Sequence, residues 1–137
     1  MHRMSITSSI ALSGMYAAYL RLQVSASNVA NAMSDGPLPR PTSAADYPSA
    51  YAPLRVDQVS APGGGVTATV SQVTPKFVPA YKPSAPYADA AGIVASPGAE
   101  LASEIVQQII AHYEFTANAQ VLRSDARMTA TLLNVTA

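Results

Sequence analysis

The chain has 137 residues, a formal net charge of zero and no cysteine, and only 12% of its residues are charged. This length suits a single domain. The lack of a basic surplus argues against a nucleic-acid-binding protein, because few cations are available to neutralise phosphates. Without cysteine there is no disulfide and no thiolate metal site, and two histidines are too few for a histidine-rich cluster.

The N-terminus resembles a secretory signal only in part. Arg3 precedes an apolar stretch from Met4 to Leu20, and the sequence from Ala30 to Ala32 imitates a cleavage site. Arg21 interrupts the stretch and separates it from that site, which argues against a cleaved signal peptide. The stretch is also shorter than the roughly 20 apolar residues of a membrane span. We therefore expect neither a cleaved signal peptide nor direct membrane insertion.

The prolines divide the chain into three segments. All eleven lie between Pro37 and Pro97, and proline breaks the interior of a helix. We therefore predict an N-terminal helix within residues 1–35, a proline-rich segment over 36–97 and a C-terminal helix within 98–137.

The N-terminal helix is expected from about Ser5 to Ala32. Small and apolar residues recur there in steps of four and three, which is typical of helices that pair along a stripe. Most members of this stripe are small, so a partner helix can approach closely. The predicted stripe consists of Met4, Ser8, Ala11, Met15, Ala18, Leu22, Ser25, Val29 and Ala32.

The C-terminal helix is expected to begin after Pro97 and Gly98 and to run to Val135, with Glu100 and Glu104 in its early turns, where the helix dipole favours anions. It carries the same four–three spacing, with a second apolar stripe beside it. The first stripe consists of Leu101, Ile105, Gln108, His112, Phe115, Ala119, Leu122, Ala126, Thr129 and Leu133.

The proline-rich segment contains one clear strand signal. Apolar and polar residues alternate over 54–59 and 66–73 around a glycine-rich loop at 61–65, which predicts a β-hairpin near residues 54–73. The stretches 36–53 and 75–87 are expected to be extended and irregular. The predicted fold is therefore mainly α: two long antiparallel, coiled-coil-like terminal helices and an extended middle segment that contains a β-hairpin. A lone hairpin is marginally stable, so it should rest on another element.

The amount of apolar surface points to an assembly. Two long helices and one small hairpin cannot bury two apolar stripes on each helix, and a helix that is apolar or small on nearly all sides is buried on most of them. We therefore expect the remaining surface to be covered by other chains.

Motifs at both ends and in the middle resemble one family. The N-terminal motif is Ser27–Ala32, preceded by Arg21–Val24, and the C-terminal motif is Phe115–Val121, followed by Asp125, Met128, Leu132 and Leu133. These are similar to the terminal signatures of bacterial flagellar rod, hook and hook-junction proteins. The stretches 81–94 and 96–101 resemble the proximal-rod members of that family. Tyr113 replaces a usual arginine, and Gly98 and Glu100 replace a usual asparagine and aspartate.

The resemblance implies a structural subunit of the proximal rod of the flagellar basal body, which transmits motor torque. Its terminal helices would pack into a helical tube around the export channel, with the middle segment facing outward. Implied partners are other copies of the chain, other proximal and distal rod proteins, the junction with the MS ring, and the flagellar type III export apparatus. The subunit would be exported without a cleaved signal peptide and would use no cofactor, metal or nucleic acid.

Two asparagines, Asn28 and Asn31, lie one helical turn apart within the N-terminal motif. Buried amides must be paired, so we predict that they set the register between subunits. In the alternative interpretation Asn31 caps the helix end and Asn28 is solvated. The predicted assembly-interface residues are Ala11, Met15, Ala18, Leu22, Asn28, Val29, Asn31, Leu101, Ile105, Ile109, Phe115, Asn118, Leu122, Met128, Leu132 and Leu133.

No motif supports an enzyme. His112 has no second ligand or nucleophile at suitable spacing and is expected to be an interface residue, and Gly63–Gly65 lacks the lysine of a phosphate-binding loop. Arg123, Asp125 and Arg127 are expected on a solvated or channel-facing edge, with intersubunit salt bridges as the alternative. The competing functional hypothesis is a non-polymerising helical adaptor or export-chaperone-type binding module.

Overall fold

The computed structural model describes residues 5–39 and 47–135. Two helices and four strands follow one another along these residues. They are α1 (Ile6–Ala30), β1 (Leu54–Ser60), β2 (Val66–Gln72), β3 (Phe77–Tyr81), β4 (Ile93–Pro97) and α2 (Leu101–Val135).

Both helices match their predicted ranges to within about two residues at the described ends. Helix α1 begins after Ser5, whose side-chain oxygen accepts a hydrogen bond from the Ser8 backbone N–H at 3.0 Å. This contact satisfies one of the backbone donors that the first turn leaves open. At about 1.5 Å per residue, α1 is roughly 38 Å long and α2 roughly 52 Å.

The helices lie side by side and antiparallel, as predicted. Ser5 at the beginning of α1 contacts Asp125 in α2, whereas Ser25 near the end of α1 contacts Glu104 at the beginning of α2. Between them, Arg21 contacts Glu114. The contacted position in α2 therefore falls steadily as the position in α1 rises.

The predicted hairpin is present. Strands β1 and β2 pair antiparallel, from Leu54 opposite Gln72 to Ser60 opposite Val66. Three consecutive glycines, Gly63–Gly65, have φ angles of 83–96°, a region that glycine adopts readily. The hairpin rests on α1, because the Val66 backbone N–H donates to the Ser13 hydroxyl at 3.1 Å.

A second two-stranded sheet corrects the expectation that 75–87 is irregular. Strands β3 and β4 pair antiparallel, from Phe77 opposite Pro97 to Tyr81 opposite Ile93. Pro79 lies inside β3, where its missing N–H is tolerated because β3 pairs with a strand on one side only. An isolated bridge between Gly36 and Ala95 joins the chain after α1 to β4. This sheet therefore links the end of α1 to the beginning of α2.

The buried interior is built from small side chains. Among the described residues, the buried hydrophobic ones are Ala11, Ala17, Ala18, Val24, Val94, Ala95 and Ala111. The largest side chains in the fully buried group are those of Val94, Asn28, Pro53 and Ser25. Because alanine buries little area and hydrophobic stabilisation scales with area, this interior supplies only modest stability to a single chain.

Candidate assembly interface

Small residues bring α1 and α2 close together. Ala11 and Ala18 are each 1% exposed. Gly14 lies against Asn118 of α2, and a Cβ atom added to Gly14 would be 2.7 Å from the Asn118 amide nitrogen. A methyl group at this position would force the amide to move. The small residues of α1 are thus used first for packing within one chain.

The contact stripe of α1 is only partly the predicted one. Ala11, Ala18 and Ser25 belong to both, but the helix rotates so that Gly14, Arg21 and Asn28 face α2 or the hairpin. Of the other residues in the predicted stripe, Met15 is half-buried, whereas Leu22 and Val29 are exposed. In this orientation Arg21 gains a charged partner and the Asn28 amide gains hydrogen-bond partners, which favours the inward position of both side chains. Leu22 is 41% exposed and Val29 is 37% exposed.

Asn28 is the polar centre of the fold. Its side-chain nitrogen donates to the Leu54 carbonyl oxygen at 2.8 Å and to Glu104 Oε1 at 2.7 Å. Its side-chain oxygen accepts from the Leu54 backbone N–H at 2.9 Å and from the Tyr51 hydroxyl at 3.0 Å. With 1% exposure, the amide is buried and fully paired, not solvated. These partners lie in the same chain. The bonds therefore fix the alignment of α1, β1 and α2 relative to one another within one subunit.

Asn31 caps α1. Its backbone N–H and its side-chain nitrogen both donate to the Ser27 carbonyl oxygen at 3.0 Å. Its side-chain oxygen accepts from the Ser34 hydroxyl at 3.2 Å. These bonds satisfy groups that a helix end leaves open, which is the capping alternative stated for this residue.

Asp125 is not on a solvated edge of α2, which corrects the prediction for this residue. Its Oδ2 atom accepts hydrogen bonds from the Ser5 and Ser8 hydroxyls, both at 2.5 Å. These two hydrogen bonds stabilise the carboxylate and hold the pKa of Asp125 below its ordinary value, although partial desolvation opposes them. The carboxylate also lies at the N-terminus of α1, where the helix dipole favours an anion.

Arg21, the charged residue in the interior of α1, forms an ion pair with Glu114. The Nη1 to Oε2 distance is 2.7 Å, and the side chains are 19% and 41% exposed. Such partly exposed pairs contribute at most about 1 kcal/mol. The pair therefore orients the two helices more than it stabilises them.

An ion pair that was not anticipated joins the segment after α1 to the end of β3. The Asp35 side chain is 6% exposed and pairs with the Lys82 ammonium. Burial alone raises the pKa of Asp35, but hydrogen bonds from Lys82 and Ser96 and the charge of Lys82 outweigh it, so the pKa lies below 3.8. Asp35 follows α1, Lys82 follows β3 and Ser96 lies in β4. Because these positions are far apart in the sequence, their spacing gave no signal of the contact.

The predicted interface residues fall into three groups by exposure. Three are buried within the chain: Ala11, Ala18 and Asn28. Four are half-buried: Met15, Asn31, Asn118 and Leu122. Nine are exposed: Leu22, Val29, Leu101, Ile105, Ile109, Phe115, Met128, Leu132 and Leu133. The exposed group is available for contacts with other chains.

Apolar exposure extends beyond the predicted residues on both helices. Tyr16 is 61% exposed on α1, and Tyr113, which replaces the usual arginine of the C-terminal motif, is 70% exposed on α2. His112 is exposed and contacts the Tyr113 ring edge-on at 5.9 Å between centroids. Isolated exposed apolar side chains are ordinary, but contiguous groups of this size mark interaction surfaces.

Neither described helix is both long enough and apolar enough to cross a bilayer. Within residues 5–39 and 47–135 no three histidine, acidic or cysteine side chains cluster in a way that could hold a metal ion. A cleft of about 260 Å³ lies between the hairpin and the helices, and its lining includes Arg21, Leu54 and Glu104.

Comparison with known proteins decides the family. Over 120 residues the chain is 38% identical to the flagellar basal-body rod protein FlgC of Salmonella typhimurium strain LT2, a match that covers 84% of each chain. It is 37% identical over 123 residues to the FlgC protein of Escherichia coli O157:H7, again with 84% of each chain covered. The chain belongs to the FlgC family of flagellar basal-body rod proteins. The resemblance drawn from Ser27–Ala32 and the C-terminal motif is thereby confirmed. No model in a scan of protein families matches the chain.

Membership in the FlgC family gives the exposed surfaces a context. A protein of the basal-body rod is a structural component of the motility apparatus, and it associates with other rod components. The two helices that carry the terminal motifs of the FlgC-like sequence are the same two that expose large apolar side chains.

Proposed function

We propose that the chain is a structural, non-enzymatic subunit of the proximal rod. It polymerises helically around the export channel and transmits the torque of the motor. The observation that carries this proposal is the contrast between the two sides of the helix pair. The buried side chains on the inside are mainly alanine, with one valine, one serine and one asparagine, whereas isoleucine, leucine and tyrosine are exposed on the outside.

This contrast favours assembly because burial of large side chains stabilises far more than burial of alanine. A fully buried leucine or isoleucine contributes about 1.5–3 kcal/mol. The chain keeps many of these side chains outside its own interior, so the larger part of the available hydrophobic stabilisation is reached only when neighbouring chains cover them. A rod that carries torque needs strong contacts of this kind between its subunits.

The partners of the subunit would be further copies of itself, other proximal and distal rod proteins, and the junction between the rod and the MS ring. The flagellar type III export apparatus would deliver the chain without cleavage of a signal peptide. We further propose that residues 1–35 and 98–137 form the rod core and that 36–97, with its two small sheets, forms the outer part of the subunit.

Deletion and complementation in the source organism test the proposal. Cells that lack the gene should be non-motile, and their basal bodies should lack the rod beyond the membrane rings. The wild-type gene should restore both, and the restored basal bodies should contain the chain when analysed by mass spectrometry. Basal bodies with complete rods in the deletion strain, or a chain found only in a closed soluble complex with one partner, would instead support an adaptor.

A further inference from the structure

The β1–β2 hairpin lies over α1 but packs loosely against it. Each of its strands has seven residues, and every one of them is half-buried or exposed. Two clefts of about 260 Å³ each lie between the hairpin and the helices, one beside Arg21 and the other beside Asn118. Because hydrophobic stabilisation scales with the apolar area that is buried, the side chains of the hairpin add little to its attachment.

The base of the hairpin, at the beginning of β1, is firmly attached. Asn28 is 1% exposed and bonds both the N–H and the carbonyl oxygen of Leu54, at 2.9 and 2.8 Å. The preceding Pro53 is fully buried, and its carbonyl oxygen accepts from the Val73 N–H at 2.8 Å. Opening the base would leave buried polar groups without partners, which is costly.

The tip of the hairpin, residues 60–66, is attached more weakly. In the part of the chain that the structure describes, one hydrogen bond joins the tip to α1, from the Val66 backbone N–H to the Ser13 hydroxyl at 3.1 Å. Both residues are half-buried, so water can replace this bond when the tip moves away. The Ser13 hydroxyl also donates to the Ile10 carbonyl oxygen at 2.7 Å and keeps that partner.

The polar contacts that join α1 to α2 lie apart from the tip. Ser5 contacts Asp125 near one end of the helix pair, and Arg21 contacts Glu114 further along it. Residues 60–66 take part in neither contact. Lifting the tip therefore leaves these links between the two helices in place.

We propose that the hairpin is a hinged strap: its tip lifts from α1 at Ser13, while its base stays bound to Asn28 and the helix pair stays folded. Regions with few buried contacts are the ones that open locally in native proteins. Lifting the tip uncovers the surface of α1 at Ile10 and Gly14, which lines the cleft under the closed tip. The chain can thus hold its hairpin in two arrangements on one unchanged helix pair. The strap is a property of the single chain and stands apart from the proposed function.

Hydrogen exchange of backbone amides, measured by NMR on the purified full chain, tests the strap. Protection here is the slowing of exchange relative to an unstructured chain of the same sequence. In the wild type the Val66 amide should be roughly tenfold or more less protected than the Leu54 amide, because the tip opens without the base.

The variant Gly65→Ala should hold the tip open, because the added Cβ atom would clash with the Ser13 hydroxyl. Protection of the Val66 amide should fall by about tenfold, the change expected for the loss of one hydrogen bond. The Leu54 amide at the base and the Ala18 amide in α1 should keep their protection.

Gly63→Ala is the matched control for this variant. The φ angles of Gly63 and Gly65 are 92° and 83°, so an alanine at either position carries a similar backbone strain. A Cβ atom on Gly63 would meet nothing within 4 Å, and this variant should change the protection of Val66 far less. Ser13→Ala removes the acceptor without altering the loop and should lower the protection of Val66 as Gly65→Ala does.

Three results would overturn the strap. An equal loss of protection at Val66, Leu54 and Ala18 in Gly65→Ala would show that the hairpin and the helices open together. Equal effects of Gly63→Ala and Gly65→Ala on Val66 would assign the change to strain in the loop. Unchanged protection of Val66 in both Gly65→Ala and Ser13→Ala would show that the contact with Ser13 does not hold the tip. The content of basal bodies tests the proposed function separately from all three.

Discussion

Asn28 pairs with both peptide groups of Leu54: its side-chain nitrogen donates to the Leu54 carbonyl oxygen at 2.8 Å, and its side-chain oxygen accepts from the Leu54 N–H at 2.9 Å. The amide thus takes the place of a neighbouring strand at the beginning of β1. It holds the hairpin against α1, and its additional bond to Glu104 includes α2 in the same contact. One side chain therefore positions three elements that are far apart in the sequence.

Replacement of Asn28 tests this role. We expect Asn28→Leu to lower the free energy of unfolding, because the Leu54 N–H loses the acceptor that pairs it and the Tyr51 hydroxyl keeps only its hydrogen bond to Ser27. Each buried group left unpaired costs about 1–3 kcal/mol. Urea unfolding followed by circular dichroism measures the change, and swimming assays should show reduced motility.

The matched control for this variant is Ala26→Leu, at an exposed position of the same helix, measured by urea unfolding of the purified chain. Ser5→Leu is unsuitable as a neutral control, because the Ser5 hydroxyl caps α1 and donates to Asp125. Equal unfolding free energies for Asn28→Leu and Ala26→Leu would remove the case for Asn28 as a positioning residue.

Gly36 is placed where no side chain fits. A Cβ atom there would be 2.7 Å from the Pro48 carbonyl oxygen and from the Ser49 carbonyl carbon. Since both are backbone atoms, Gly36→Ala should displace the segment near 48–50 and weaken the bridge to Ala95. We expect a loss of about 1–3 kcal/mol, in the range of overpacked sites. Gly98→Ala is the control, because its nearest contact would be an ordinary 3.5 Å, and equal melting temperatures for the two variants would contradict the assignment.

The ion pair of Asp35 predicts a pH dependence. Its folded-state pKa is lowered from 3.8, so the carboxylate contributes its full stability above that value and loses it as the pH falls through the folded-state pKa. We expect Asp35→Asn to be less stable than the wild type at about pH 7. Below 3.8 the difference between the two proteins should shrink. A constant difference across this range, measured by urea unfolding, would show that the charge of Asp35 does not contribute.

Much of this fold could be predicted from the sequence. The absence of proline from both ends and the four–three spacing predicted α1 and α2, and strand alternation around the glycine-rich loop predicted the β1–β2 hairpin. The face of α1 that contacts α2 could not be predicted in full. The spacing of Ala11, Ala18 and Ser25 allows either Gly14 or Met15 to lie on the same face as these three residues. Long-range polar partners such as Glu104 for Asn28 decide that choice. The β3–β4 sheet was missed because Pro79 and Pro97 obscure its strand pattern.

The thin interior predicts a marginally stable free chain. Residues buried between α1 and α2 are mostly alanine, and isolated helices are marginal in water. We expect the purified monomer to fold with low stability and to lose its helical circular dichroism at a low urea concentration, and the same helices should resist urea much better once the chain is incorporated into the rod. A purified monomer that resists urea as well as the assembled rod would show that the contacts within one chain suffice.

Removal of residues 122–137 tests the contribution of the end of α2 to assembly. The deletion removes Leu122, Met128, Leu132 and Leu133, each contributing about 1.5–3 kcal/mol when fully buried. It leaves β1, β2 and their contact with Ser13 intact. The truncated protein should remain soluble but should not restore rods in the deletion strain. Full restoration of motility by the truncated gene would exclude a role for this segment in the rod.

A density map of the isolated basal body tests the central claim most directly, namely that this chain is a rod subunit whose exposed helix faces are covered by its neighbours. We predict that α1 and α2 are found paired in the rod wall, repeated on a helical lattice, with Ile109 and Tyr16 buried at contacts between chains. A rod wall without this chain, or a map in which these two residues face solvent in every copy, would contradict it.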